Sequence, residues 1–197
     1  NIYLYQQLSQ ISGGLAIGAF VHSQTGLKAI HTYGNKKHYE NYLLPGMKGE
    51  KVLAIANTEP GAGSDAASIS LTAVDKGDHW LLNGTKSYIT SGDIADAIVV
   101  TAVTDKNAVK PHRGISMFIV DGELEGLQRL RMAKYGWSES HLATLIFENV
   151  KVPKTNLIGR MNFGFYQTME VFNSSRIGVA SIAHGSAFGA FKMSYNY

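Results

Sequence analysis

Two short stretches of this sequence carry residue types that could do chemistry. The first is Thr58-Glu59-Pro60-Gly61-Ala62-Gly63-Ser64-Asp65. Gly61 and Gly63 let backbone approach a ligand closely, and exposed N–H groups with the Ser64 hydroxyl can bind a negative phosphate. The same residues would equally make a polar turn between two strands. The second stretch is Tyr88-Ile89-Thr90, which sets a flat aromatic surface beside a hydroxyl. An ordinary aromatic and β-branched strand reads the same way. Arg176 is a third candidate, because it lies in an apolar, small-residue stretch where an unpaired cation is costly. A structural ion pair would also explain it.

The remaining polar groups have structural readings. Glu59 and Asp65 suit a turn and a cap. The seven histidines show no HxxxH or HxH spacing, so no metal site is expected, and His22 and His184 fall on helix faces. The absence of cysteine excludes disulfides, thiolate ligands and a cysteine nucleophile, and it is compatible with a reducing compartment.

Three zones must position these residues. Over roughly 2–44, apolar residues recur at helical spacing (Leu4, Leu8, Ile11, Leu15, Ile17, Phe20, Val21). Gly34 is expected as a left-handed C-cap, Asn35 as the cap of a short second helix through Leu43, and Pro45-Gly46 as its stop. From about 51 to 152 the sequence turns to short runs rich in valine, isoleucine and threonine. Strands are expected at 52–57, 69–74, 80–82, 87–90, 97–101, 115–120, 127–132 and 142–147, with Asn83-Gly84 as a hairpin turn. The absence of intervening helical pattern predicts an antiparallel sandwich or barrel. Helical spacing returns near Asn162, where Gly178, Gly185 and Gly189 predict close approach of a helix not contained in the chain.

The chain has 197 residues, 45% of them hydrophobic and 17% charged, which suits a globular protein with a real core. Its net charge of +3 is scattered, with no basic block of the kind nucleic acid requires. The apolar stretch from Ser12 to Val21 is too short and glycine-rich to span a bilayer, and no secretory signal is recognised. The chain starts at Asn1 without methionine and stops at Tyr197 within a helical pattern, so it reads as a fragment.

In order along the chain, several segments resemble the acyl-CoA dehydrogenase family. The first is the Thr58–Asp65 stretch. It is followed by Leu82-Asn83-Gly84-Thr85-Lys86-Ser87-Tyr88-Ile89-Thr90-Ser91-Gly92, which is similar to the family's Leu-Asn-Gly-x-Lys-x-Trp-Ile-Thr-Asn-Gly. Gly114-Ile115-Ser116-Met117-Phe118-Ile119-Val120, Lys134-Tyr135-Gly136-Trp137 and Phe147-Glu148-Asn149-Val150-Lys151-Val152-Pro153 come next. Gly164-Phe165 through Ser175-Arg176-Ile177 completes the set, and Val21-His22-Ser23 with Tyr33-Gly34 fits the region before it.

The resemblance implies an α+β fold, with an antiparallel β-sandwich or barrel flanked by helices of incomplete N- and C-terminal helical domains. Residues 1–50 would end the N-terminal helical domain, 51–160 would form the FAD-binding middle domain, and 161–197 would begin the C-terminal bundle. It implies FAD contacts at Ile55, Asn57, Thr58, Gly63, Ser64, Tyr88, Ile89 and Thr90, with Thr58 on the isoalloxazine edge and Thr90 near N5. Ser64, Asn173 and Arg176 would bind the acyl-CoA. The sequence departs from the family at Asn57, usually aliphatic, and at Tyr88, usually tryptophan. Ser138 replaces a common arginine, Leu142 a common threonine and Asn173 a common aspartate, which bears on substrate preference.

The implied reaction is α,β-desaturation of an acyl-CoA thioester, with electrons passed to an electron-transfer flavoprotein. It needs a carboxylate base. In some members a glutamate directly precedes the helix arginine; here that residue is Ser175, and Glu170 lies about 140° around the helix from it. No catalytic residue is therefore expected in this chain. A homo-oligomer, dimer or tetramer, and a cytoplasmic or mitochondrial-matrix location are expected for the parent. An acyl-CoA oxidase, a flavin monooxygenase and a non-enzymatic binding member are the alternatives within the fold.

Overall fold

The valine- and isoleucine-rich middle of the chain pairs into one eight-stranded sheet in the computed structural model, which describes residues 2–197. Its strands are β1 (Leu53–Ala56), β2 (Thr72–Asp75), β3 (His79–Thr90), β4 (Ala97–Val103), β5 (Ile115–Asp121), β6 (Leu127–Arg131), β7 (Leu142–Pro153) and β8 (Leu157–Ile158). They run β6-β7-β3-β2-β4-β5-β8 in space, and β1 also pairs with β4. Most pairings are antiparallel, as expected. The sheet is nevertheless mixed, because β1 runs parallel to β4 and β2 meets β4 in parallel through Thr72 and Val103.

Strands β4 and β5 are almost wholly buried and mostly apolar, interrupted by Thr101, Ser116 and Asp121, because both of their faces are covered. Ile98, Val100, Phe118 and Val120 face the interior of the curled sheet, where Trp80, Leu82, Leu145, Phe147 and Val150 meet them. The Trp80 and Phe118 rings lie edge to face at 5.4 Å, a contact across the interior between β3 and β5, which β2 and β4 separate in the sheet order. Ala97, Val99, Met117 and Ile119 face the other way, onto Leu27, Ile30, Tyr42, Leu43 and Val171 of the helices.

Those helices are α1 (Ile2–Ile11), α2 (Gly13–Val21), α3 (Leu27–Tyr33), α4 (Lys36–His38), α5 (Leu44–Met47) and α6 (Gly164–Tyr195). The first helical zone is broken at Ser12, whose extended backbone lets its hydroxyl accept the Leu15 N–H and start α2 afresh. Asn35 caps α4 as expected, in a reciprocal arrangement with His38. Gly34 is not left-handed: its φ is −72°, and glycine is needed because a Cβ would stand 2.4 Å from the Ile30 carbonyl. Pro45-Gly46 does not stop the helix, since a π turn at Tyr39–Leu43 carries it into α5 with Pro45 at the first turn.

Two further expectations change. Asn83-Gly84 is a bulge inside the single long strand β3, and the chain reverses at Lys76–Gly77–Asp78 instead. Gly84, at φ 141°, lets the Leu71 backbone come within 2.8 Å of where a Cβ would stand, while Asn83 bonds Asn149 on β7. The glycines of α6 do admit close neighbours, but from this same chain: Phe20 fits over Gly178, and α1 crosses at Gly185 and Gly189.

A buried cation ties the strands together. Lys86 is wholly buried, and its ammonium donates to the Asn57 carbonyl at 2.9 Å, to Glu59 Oε1 at 2.9 Å and to Thr101 Oγ1 at 3.3 Å. Glu59 is in turn saturated by the Ser70 N–H and hydroxyl, both at 2.7 Å, and by the Leu71 N–H at 3.0 Å. Thr101 donates onward to Asn57 Oδ1 at 2.8 Å. Burial pulls the Lys86 ammonium down to about 8 against the opposing pull of Glu59. Burial pushes the Glu59 carboxyl up, but Lys86 and the donors around it outweigh this and hold it below its ordinary value.

Replacing Lys86 with methionine strands the Glu59 charge and should cost about 3–5 kcal/mol in urea unfolding at neutral pH. The Glu59 contribution is present above its unfolded pKa and is lost as pH falls through its lower folded value. The urea midpoint should therefore drop below pH 4.5, with a flatter acid limb in Glu59→Gln. Gly185→Val would bring a Cβ 2.0 Å from Ser9 Oγ and 2.3 Å from the Gln6 carbonyl, and calorimetry should register a loss of about 1–3 kcal/mol.

Candidate functional site

The strand β1 ends at Ala56, and the chain turns through the first candidate stretch. Asn57 is buried against Thr101, and the Thr58 carbonyl accepts the Ser87 N–H at 2.9 Å. That bond sets the two candidate stretches side by side. Glu59 and Ala62 then exchange backbone hydrogen bonds of 3.0 and 3.1 Å, closing a tight turn over the buried Glu59 carboxylate. Glu59 is thus more than the turn residue it was expected to be.

Beyond this turn the chain opens to solvent. A Cβ on Gly61 or Gly63 would meet nothing within 4 Å, and neither residue has the positive φ that favours glycine. Nothing in the fold itself calls for glycine there, so a close external approach accounts for both better than turn geometry does. The N–H groups of Gly61, Gly63 and Ser64 make no hydrogen bond among the described residues, and Ser64 is exposed. Asp65 holds a local turn and caps no helix: it accepts from the Ala67 N–H and the Ser68 hydroxyl.

The second stretch owes its shape to a register shift between Lys86 and Ile89 on the β3–β7 ladder. The shift puts Tyr88 at φ 60°, a conformation costly for a bulky residue, and leaves its side chain outside, 63% exposed. Ile89 returns to the core at 2% exposure, so its side chain packs inside and only its backbone is left for a ligand. Thr90 is half-buried opposite Leu142, and Ser91 follows at φ 60°. Strain held next to exposed donors is typical of functional sites.

These parts fit the flavin cofactor that the sequence implies. The free N–H groups and the Ser64 hydroxyl suit its pyrophosphate, Thr58 and Thr90 suit its polar ring edge, and Tyr88 offers a flat surface. Ile55 is half-buried on β1 and packs, with Phe172 of α6, against the cluster between sheet and helices. Asn173 and Arg176 are exposed on α6, and neither bonds to residues 57–64 among the described residues. Arg176 is exposed and makes no ion pair among the described residues, so within this chain its charge is left open to a ligand or to a helix beyond it.

No group on α6 is free to act as base near Arg176. Ser175 is buried and donates to the Phe172 carbonyl at 2.8 Å. Glu170 accepts the Tyr33 hydroxyl at 2.5 Å, and burial together with that carboxylate raises the Tyr33 phenol well above its usual value. His22 has a larger role than a helix-face residue: Nδ1 accepts the Leu53 N–H at 3.0 Å and Nε2 donates to the Gly46 carbonyl at 3.1 Å, joining helices to β1. Among the described residues there is no cluster that could hold a metal, and no helix is long and apolar enough to cross a membrane.

The profile of the acyl-CoA dehydrogenase middle domain matches residues 54–150. The caffeyl-CoA reductase-Etf complex subunit CarC of Acetobacterium woodii is 45% identical over 165 residues, which are 83% of this chain and 43% of that protein. The structure of butyryl-CoA dehydrogenase from Megasphaera elsdenii superposes with a TM-score of 0.96 at 33% identity, covering 100% of this chain and 51% of that one. An acyl-CoA dehydrogenase from Bacillus anthracis, solved with FAD, superposes with a TM-score of 0.90 at 33% identity, over 100% of this chain and 34% of that one. The chain thus spans about half the length, or less, of the relatives it matches. With the ordered motifs, the mixed sheet and the flanking helices all in agreement, the chain belongs to the acyl-CoA dehydrogenase family.

Proposed function

We propose that this chain supplies much of the FAD site of an acyl-CoA dehydrogenase, and that the whole protein desaturates an acyl-CoA thioester between its α and β carbons. The observation that carries the reading is the Ser87 N–H to Thr58 carbonyl bond, which joins a turn of free donors to an outward-facing aromatic ring. On this reading residues 1–50 end a helical domain, 51–160 form the FAD-binding domain and 161–197 open a helical bundle.

When bound, FAD supplies the acceptor for the hydride leaving the β-carbon. The Gly63 and Ser64 N–H groups and the Ser64 hydroxyl hold anionic oxygens. Thr58 and Thr90 direct hydroxyls at the polar edge of the ring, and Tyr88 covers its face. Ile55, Asn57 and Ile89 contribute through backbone and packing. Ser64, Asn173 and Arg176 orient the acyl-CoA, with Arg176 free in solvent to meet an anionic group. The base that takes the α-proton comes from outside these residues, because Ser175 cannot serve and Glu170 is engaged by Tyr33.

Electrons pass on to an electron-transfer flavoprotein, a partner supported by the Etf-complex relative. The whole protein acts as a dimer or tetramer. A second reading keeps the site and reverses the direction, since the 45% identical relative is named a caffeyl-CoA reductase. In that case the substrate is an aryl-substituted enoyl-CoA.

The full-length protein should be yellow and should bleach anaerobically with one of a series of saturated acyl-CoAs of graded length. Bleaching by none of them contradicts desaturation. Rapid reoxidation of the dithionite-reduced protein by cinnamoyl-CoA, and not by crotonyl-CoA, would favour the reductive direction. The 197-residue chain alone should show no desaturation of any acyl-CoA.

A further inference from the structure

A nearly buried carboxylate stands just past the second stretch. Asp93, with a side chain only 11% exposed, accepts the His141 Nδ1 proton at 2.7 Å. Arg131 Nε lies 3.9 Å from the same oxygen. The other oxygen, Asp93 Oδ1, is buried and has no donor among the described residues. The carboxylate therefore depends on His141 for its one short hydrogen bond, with the largely exposed Arg131 as a more distant charge.

His141 also holds this turn through its main chain. Its carbonyl accepts the Ser91 N–H at 3.1 Å, and the next residue, Leu142, pairs with Thr90. Thr90 and Ser91 are thus fixed from one side by the His141–Leu142 backbone, and Asp93 is fixed by the His141 ring. Enclosed between them is Ser91 at φ 60°, a conformation that would relax without such restraint. Another His–Asp pair on the sheet, His79 and Asp78, is adjacent in sequence, with its aspartate 86% exposed, and closes no comparable loop.

We propose that Asp93 and His141 are a positioning pair, holding the Thr90–Ser91 turn so that the Thr90 hydroxyl keeps its setting against the polar edge of the flavin. The inference rests on the reading that this turn faces FAD. Neither residue touches the cofactor on this account; both act through Thr90.

The test uses the full-length protein, titrating apoprotein with FAD by fluorescence quenching and measuring the midpoint potential of the bound flavin. His141→Ala should weaken FAD binding about tenfold, as expected for loss of one hydrogen bond to a charged group, and should shift the potential. His141→Asn, whose side-chain amide can donate from the position of Nδ1, should restore affinity to within about twofold and restore the potential. His79→Ala should match wild type in both. Wild-type affinity and potential in His141→Ala would overturn the pairing while leaving the proposed function intact. Equal loss in His141→Ala and His141→Asn, with both apoproteins melting at lower temperature, would also overturn it, because the pair would then be merely structural. A wild-type protein that takes up no FAD would overturn this inference and the proposed function together.

Discussion

An ammonium group shut away from water must find acceptors inside the protein, and the site depends on how Lys86 meets that demand. Its three protons call in a carbonyl from the end of β1, a carboxylate from the following turn and a hydroxyl from β4. Once Asn57 and Glu59 are drawn to Lys86 on β3, Thr58 between them has little choice but to lie beside Ser87. The glycine turn and the exposed tyrosine become neighbours as a consequence. Such a pair adds little net stability, since the desolvation of two charges offsets most of their attraction. Its effect is to permit one arrangement of three chain segments and penalise the rest.

Around that anchor the fold distributes constraint unevenly. The paired faces of β4 and β5 are sealed on both sides, and each buried valine, isoleucine or phenylalanine there contributes roughly 1.5–3 kcal/mol. That reserve tolerates left-handed non-glycine residues at about 1–3 kcal/mol each, Tyr88 and Ser91 at the site among them. The helical layer is held to the sheet by directional contacts as well as packing. His22 bridges α5 and β1, the Tyr42 hydroxyl donates to Asp121 at 3.1 Å, and Tyr33 reaches Glu170 on α6. Burial and the Asp121 carboxylate push the Tyr42 phenol up to about 12, so it stays a proton donor throughout the neutral range.

Much of this was legible in the residues. Short runs rich in valine, isoleucine and threonine located β4 and β5, and the return of helical spacing after Asn162 located α6. Errors arose where one local preference serves two structures. Asn-Gly suits a hairpin and a bulge alike, and only the pairing of Asn83 with Asn149, 66 positions away, decides between them. Gly34 could have been a left-handed cap or a point of close approach, and the Ile30 carbonyl makes it the latter. The partner of the small-residue face of α6 lay at the far end of the same chain, beyond the reach of any local pattern.

The candidate site was legible as motifs and not as geometry. Glu59 and Lys86 are each unremarkable alone and lie 27 positions apart, so their pairing gave no local signal. Lys86 fell between the strands expected at 80–82 and 87–90, and its place in the family-like segment from Leu82 to Gly92 was the available hint. The outward Tyr88 and inward Ile89 followed from a register shift that alternation cannot forecast. On the proposed reading the Thr58–Ser64 turn and the Tyr88–Thr90 strand end grip one flavin ring between them. A crystal structure of the full-length protein with FAD tests it most directly. The isoalloxazine edge should lie within hydrogen-bonding distance of Thr58 and Thr90, with the pyrophosphate on the Gly63–Ser64 amides. Density for the ring elsewhere on the sheet, with both stretches bare, would contradict it.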